Sequence, residues 1–413
     1  MRILILGGGS INKGAEAMLR TVQAELGRRL PGAEFYIGDG RANQWEADEL
    51  VAAGVPLAPV RLRGKAQSLV RLGSDALRSP EGPWHWLRRR TRHRYLDAMT
   101  GAVDGAVDVS GFLFSDQMSV RAASHLADIV EMFDRGERTT ALLPQAWGPF
   151  ENPSVRHEAV RACTHADVVY ARDEISYEHL RQILGGDIAK VERAPDIAFL
   201  FQPAPNGRDL VAELGLDPDR PIAAIAPNMR VYERTQGEGV ENTYVRILTR
   251  VGEGLRGQGA QVLLLPHEIR PDRHVKRDDR FICGVLASHL GAEGVAAVQE
   301  DRPAEDLKAM VAQCDVMLGS RFHALVASLS SGVPSVAIGW AHKYPELFRE
   351  FDLERLVLDH DSLTEDALAE TVQEVWEERG ALREQIRAAL PPIKARSASV
   401  FDRVASLLDQ THR

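Results

Sequence analysis

Cysteine is scarce in this chain: three in 413 residues, Cys163, Cys283 and Cys314, with no Cys-x-x-Cys pair and no metal-type spacing. That points away from a disulfide framework or a thiolate metal site and towards buried thiols in a reducing compartment. Long apolar runs are also missing. Nothing approaches the ~18 apolar residues of a membrane span, and Met1-Arg2 leads straight into a short strand-like run at 3–6, not a leader's apolar core. A cytoplasmic protein is expected. Positive charge is in deficit, 50 Lys and Arg against 59 Asp and Glu for a net −9, which argues against a dedicated nucleic-acid binder, because phosphate neutralisation needs a basic surface. Solenoid repeats, low-complexity tracts, a Walker loop and a Gly-x-Ser-x-Gly elbow are absent as well.

What is present is ordinary globular composition, 44% hydrophobic and 26% charged, in a chain long enough for two domains. Residues 3–6, the loop Gly7-Gly8-Gly9-Ser10-Ile11-Asn12-Lys13-Gly14 and a helix from about 15 to 30 form the strand–loop–helix opening of a doubly wound sheet. Asn12 stands where a dinucleotide fingerprint needs its third glycine. The loop still suits a polar ligand close to backbone, with Asn12 able to donate and accept. Further strands are expected near 34–37, 106–110, 140–143 and 168–170, and the loops off their ends carry Asp116 and Gln145. Those two are site candidates, with plain loop or capping roles as the alternative.

Pro203-Ala204-Pro205-Asn206-Gly207 reads as a linker, after which strands recur at 222–226, 262–265, 295–298, 316–318, 335–338 and 356–358. The expected architecture is α/β: two Rossmann-like doubly wound domains facing a cleft, at 1–203 and 208–375, then C-terminal helices at 376–413 interrupted at Pro391-Pro392. Within the first domain, residues 61–94 hold ten basic residues against two acids, with Trp84 and Trp86. This is either a solvated insertion or a docking surface for an anionic acceptor or the membrane face.

Four second-domain strands are followed by basic or hydrogen-bonding residues: Asn228 and Arg230, His267 and Glu268, Arg321 and His323, then His342 and Lys343. In a parallel sheet these loops share one edge. The segment Gly319-Ser320-Arg321-Phe322-His323 turns from strand to helix, with Ser320 as the expected cap, and offers free amides and cations to an anion. Two arginines, histidines and a lysine suit a small ligand with more than one negative group. Acids look scarce around these loops, and His267-Glu268 lacks a second histidine at helical spacing, so no metal site is expected.

These motifs resemble the polysaccharide pyruvyl transferase family. The matching stretches are Gly8-Gly9-Ser10-Ile11-Asn12-Lys13-Gly14-Ala15-Glu16-Ala17, Pro144-Gln145-Ala146-Trp147-Gly148-Pro149, Ala194-Pro195-Asp196 and Gly319-Ser320-Arg321-Phe322-His323-Ala324, with Gly332-Val333-Pro334 and Lys343 downstream. Ala15 stands where many members carry Asp, and the insertion at 61–94 falls outside the shared pattern. The resemblance implies a GT-B-like fold and transfer of pyruvate from phosphoenolpyruvate (PEP), a co-substrate with no further cofactor, to two hydroxyls of a saccharide or lipid-linked saccharide, forming a ketal. It implies PEP contacts from Arg321, His323 and Arg230, and Lys343 suits the same charges. His323 or His267 is the expected general acid, Glu268, Asp116 or Glu16 the acceptor-side base, and Asn12, Glu16 and Gln145 the acceptor contacts. Peripheral membrane contact through 61–94 is a further expectation. The alternatives are a glycosyltransferase of the same fold using a nucleotide-sugar donor, and a non-catalytic carbohydrate-binding protein.

Overall fold

Short apolar runs, buried on both faces in the central strands, pair with more exposed edge strands into two six-stranded parallel sheets. The computed structural model describes residues 1–37, 101–186, 188–270 and 277–412, so the basic segment at 61–94 and the docking roles expected of it lie outside the described residues. The first sheet comprises β1 (Arg2–Leu6), β2 (Glu34–Ile37), β3 (Gly105–Asp108), β4 (Thr139–Gln145), β5 (Val168–Ala171) and β6 (Val191–Arg193), in spatial order β2-β1-β3-β4-β5-β6. The second comprises β7 (Ile222–Ala226), β8 (Gln261–Leu264), β9 (Val295–Ala297), β10 (Val316–Gly319), β11 (Ser335–Gly339) and β12 (Val357–Asp359), in order β12-β11-β10-β7-β8-β9. Strand order reverses between β7 and β10, so a crevice opens at their carboxyl ends, where open α/β sheets bind ligands.

Crossover helices cover both sheets. In the first domain they are α1 (Lys13–Arg29), α2 (Val120–Arg135), α3 (Pro153–His165) and α4 (Glu174–Ile183). In the second they are α5 (Gly207–Glu213), the single turn α6 (Met229–Tyr232), α7 (Thr243–Gly257), α8 (Arg280–Leu290), α9 (Ala304–Val311), α10 (Phe322–Ser330) and α11 (Lys343–Arg349). Asn12 caps α1 by accepting from the Gly14 and Ala15 amides at 3.0 and 3.3 Å.

The last helix, α12 (Glu365–His412), runs 48 residues straight through Pro391 and Pro392 instead of breaking there. The prolines remove local hydrogen bonds, but Ile386, Leu390, Ile393, Val400 and Phe401 are buried on both sides of them and hold the axis in place. The helices expected at 376–413 are the second half of this one element. It crosses back to the first sheet, where Arg29 meets Asp402 at 2.7 Å and Leu408 packs on Gly105 so closely that a Cβ there would lie 2.3 Å from it.

One apolar core therefore includes Ile3, Ile5 and Val107 of the first sheet, Ile225, Leu318 and Val336 of the second, and the α12 residues Val400 and Phe401. At the seam the glycine loop pairs with the chain after β8: Lys13 donates to the His267 carbonyl at 3.0 Å and Ile269 to the Ile11 carbonyl at 2.9 Å. This clasp sets the carboxyl ends of the two sheets against each other. No described helix is long and apolar enough to cross a membrane.

Candidate active site

The carboxyl ends of β7, β8 and β10 are fastened by one buried carboxylate. Asp279, just before α8, is fully buried. It accepts from the amides of Met229 (3.1 Å), His267 (3.1 Å) and Glu268 (2.8 Å), and from Arg321 Nε (2.8 Å) and Nη2 (2.5 Å). Arg321 also donates from Nη1 to Glu268 at 2.9 Å, and Glu268 is shared with Arg270 at 2.8 Å. The expectation that acids are scarce here is wrong, because the acids arrive from sequence-distant positions. Arg321 is accordingly an ion-paired fastener, not a free cation. Ser320 does not cap α10; Arg321 takes the cap position, and the Ser320 hydroxyl instead hydrogen-bonds Tyr244.

His323, on the first turn of α10, faces the other domain. Its ring lies over Gly14, where an added Cβ would fall 2.1 Å from Nδ1. Nε2 lies 3.5 Å from Asp196 Oδ2, a long contact, and has no closer partner among the described residues. Asp196 is buried and also receives Arg172 Nη1 at 2.8 Å and the Ala198 amide at 2.9 Å. Burial pushes its carboxyl up, but His323 and Arg172 outweigh this and hold it well below the usual range. The Arg172 guanidinium is 4.0 Å from the centre of the Phe322 ring.

Lys343, the first residue of α11, supplies the unbalanced charge. It is 7% exposed, pairs with no carboxylate among the described residues, and sits among aromatic rings. Its Nζ is 4.0 Å from the centre of Phe112, in the first domain, and 4.3 Å from that of Trp340. Burial first, then the charges of Arg172, Arg230 and Arg321, hold its amine well below its usual range. Arg230, on α6 across the β7–β10 crevice, lies exposed at the rim with its guanidinium 5.8 Å from the Trp340 ring and no carboxylate partner among the described residues.

The remaining candidates divide. His267 is buried near His323, and burial together with the charges of His323, Arg321 and Lys13 pushes its imidazole down to about 3. His267, His323, Lys13 and Lys308 line a cavity of about 20 Å³, room for a single water. Asn12 is occupied as a helix cap. Glu16 is buried against Lys13 at 3.0 Å, and Lys13 reaches Asp301 at 2.7 Å. Asp116 accepts the amides of Glu151 and Asn152, just before α3, at 2.8 and 3.2 Å, the loop role that stood as the alternative for it. Gln145, at the end of β4, donates to Asp108 at 3.3 Å and leaves Oε1 unpartnered among the described residues.

Asp279, Asp173 and Arg172 were not singled out from the sequence as site residues. Asp173 caps α4 through Oδ1 (2.7 Å from the Ser176 amide), and its Oδ2 is buried without a partner among the described residues. Among the described residues the grouping of possible metal ligands is Asp359, His360 and Asp361. It lies at the end of β12, has exposed acids, and places Arg234 3.3 Å from His360 Nε2, an unwelcoming neighbour for a cation.

A family model described as polysaccharide pyruvyl transferase matches residues 12–342. The amylovoran biosynthesis protein AmsJ of Erwinia amylovora is 21% identical over 305 residues, 72% of this chain and 72% of that one. Among solved structures, UDP-GlcNAc 2-epimerase from Neisseria meningitidis bound to UDP-GlcNAc superposes with a TM-score of 0.61 at 10% identity, covering 98% of this chain and 99% of that chain. Anabaena Alr3699/HepE in complex with UDP-glucose gives 0.58 at 15% identity, covering 99% and 100%. Identities this low carry the fold alone, and that fold is the expected GT-B-like pair of Rossmann-like domains.

Proposed function

Because the chain belongs to the polysaccharide pyruvyl transferase family, and so is a pyruvyl transferase of polysaccharide synthesis, we propose that it takes pyruvate from PEP and joins it to two hydroxyls of a saccharide as a ketal. The observation that carries this reading is the pair of cations without carboxylate partners among the described residues, Arg230 and Lys343, flanking Trp340. PEP brings a carboxylate and a phosphate that Arg230 at the rim and Lys343 within can answer, and burial makes the Lys343 contact worth more than in water. Arg321 contributes differently: locked to Asp279, it fixes the start of α10 and hence the position of His323.

Addition at C2 of PEP needs a proton at C3, and His323 is the group we assign to deliver it. His267 is the weaker choice, since its cationic form is unfavourable in that surrounding. Protonation makes C2 an oxocarbenium-like centre that a hydroxyl attacks, and Arg230 and Lys343 stabilise the departing phosphate. A positioned acid contributes ~10²–10⁴-fold to such a step. Thermal-shift titration tests the donor: PEP should raise the melting temperature, while UDP- and GDP-sugars should not. Stabilisation by a nucleotide-sugar and none by PEP would replace this reading with glycosyl transfer.

A further inference from the structure

Resting on that reading, we infer that Asp173 is the acceptor-side base, receiving the proton of the saccharide hydroxyl that attacks C2. The carboxylates expected in this role are already engaged. Glu268 is held by Arg321 and Arg270, Glu16 by Lys13, and Asp116 by two backbone amides. Asp196 has both oxygens in use. Asp173 is different. It is 8% exposed, and Oδ2 has no hydrogen-bond partner among the described residues although Oδ1 caps α4. A buried carboxylate oxygen left unmatched costs on the order of 1–3 kcal/mol, more when charged, and a hydroxyl of a bound ligand removes that cost.

Its setting fits an acceptor subsite. Asp173 follows β5, at the carboxyl edge of the first sheet, and faces α11 of the second domain. His342 Nε2 lies 3.9 Å from Oδ1, and the Asp173 charge acts on neighbouring Lys343. The adjacent Arg172 Nε and Gln145 Oε1 are likewise buried and unpartnered among the described residues, offering a donor and an acceptor to a polyhydroxylated ligand. Arg172 itself reaches Asp196, which lies 3.5 Å from His323 Nε2. The donor-side and acceptor-side groups thus meet across the seam.

The protons balance. The first hydroxyl oxygen bonds to C2 as its proton passes to Asp173 Oδ2, while the C2=C3 pair takes a proton from His323 at C3. The C2–O bond to phosphate then breaks with its electron pair, the second hydroxyl closes on C2, and its proton leaves with the phosphate. Exchange with water restores Asp173 and His323.

Asp173→Asn tests this, because asparagine keeps the oxygen that caps α4 and places an amide where the base stood. Phosphate release from PEP is measured with methyl galactoside, glucoside and mannoside pyranosides, and PEP affinity by calorimetry. The variant should keep the wild-type melting temperature and PEP affinity and lose on the order of 10²-fold or more in kcat. Wild-type kcat in the folded variant overturns the assignment. Phosphate release by neither protein overturns the donor reading, and this inference with it.

Discussion

Gly14→Ala separates the fit of the site from the stability of the fold. Gly14 lies in the first turn of α1, and its φ is not in the left-handed region, so alanine suits the backbone. At a compatible helical position this exchange normally stabilises by ~0.5–1 kcal/mol. Here the new methyl would stand 2.1 Å from His323 Nδ1, 2.2 Å from Cγ and 2.5 Å from Cβ. One of the two must move, and forced repacking of this kind costs ~1–3 kcal/mol. The two terms partly offset, so the net loss of stability should be no more than about 2.5 kcal/mol. Activity should fall much further, towards the ~10²–10⁴-fold of a lost acid, because the ring that delivers the proton is displaced. Gly254→Ala is the control: it lies in α7 with nothing within 4 Å of the added methyl, and should be neutral or stabilising and fully active. Denaturant melts and PEP-dependent phosphate release read the two quantities. A stable, fully active Gly14→Ala protein would refute the placement of His323 against α1 as necessary for transfer.

Arg321→Ala should destabilise the fold by ~3–5 kcal/mol in denaturant melts, since it leaves Asp279 buried without its main counter-charge; a loss of activity with stability intact would contradict the fastener role. Lys343→Met keeps the aliphatic stem among the rings and removes a buried amine that has no carboxylate partner among the described residues, so stability should hold or rise while calorimetric affinity for PEP falls by ~10–100-fold, the equivalent of one charge-assisted hydrogen bond. Lys308 donates to the Phe201 carbonyl at 2.6 Å, and its amine is pushed by burial down to about 7 from an ordinary 10.5. The unfolded chain then binds more protons between those values, so this residue's contribution to stability rises as pH climbs from about 7 to about 10, by at most ~1.4 kcal/mol per pH unit. Lys308→Met should lack that slope, and parallel stability–pH curves would show the amine is not buried as described.

Central parallel strands were legible because both faces are buried, and a run such as Ile222–Ala226 can hardly be anything else between its turn residues. The edge strand Val191–Arg193 was not, since two of its three residues are exposed and leave no apolar signal. The cations of the site were readable one loop at a time, because each follows directly on a strand. Their partners were not. Asp279 meets Arg321 from 42 residues away and looks in sequence like any acid near a helix start. Asp196 was visible only within the matching Ala194-Pro195-Asp196 stretch, and Asp173 only as a helix-initiating residue. That Lys343 is buried depends on Phe112 and Trp340 arriving from different domains, which no local pattern encodes. The glycine loop suits a polar ligand close to backbone by its sequence, whereas its last glycine, Gly14, makes room for His323.

The most direct measurement of donor identity is phosphate release from PEP by the full chain across a panel of saccharide acceptors, with the product examined for a pyruvyl ketal by mass spectrometry and NMR. Stoichiometric phosphate and a ketal-bearing saccharide are the predicted result. Saccharide binding without phosphate release, or glycosyl transfer from a nucleotide-sugar in its place, would contradict it.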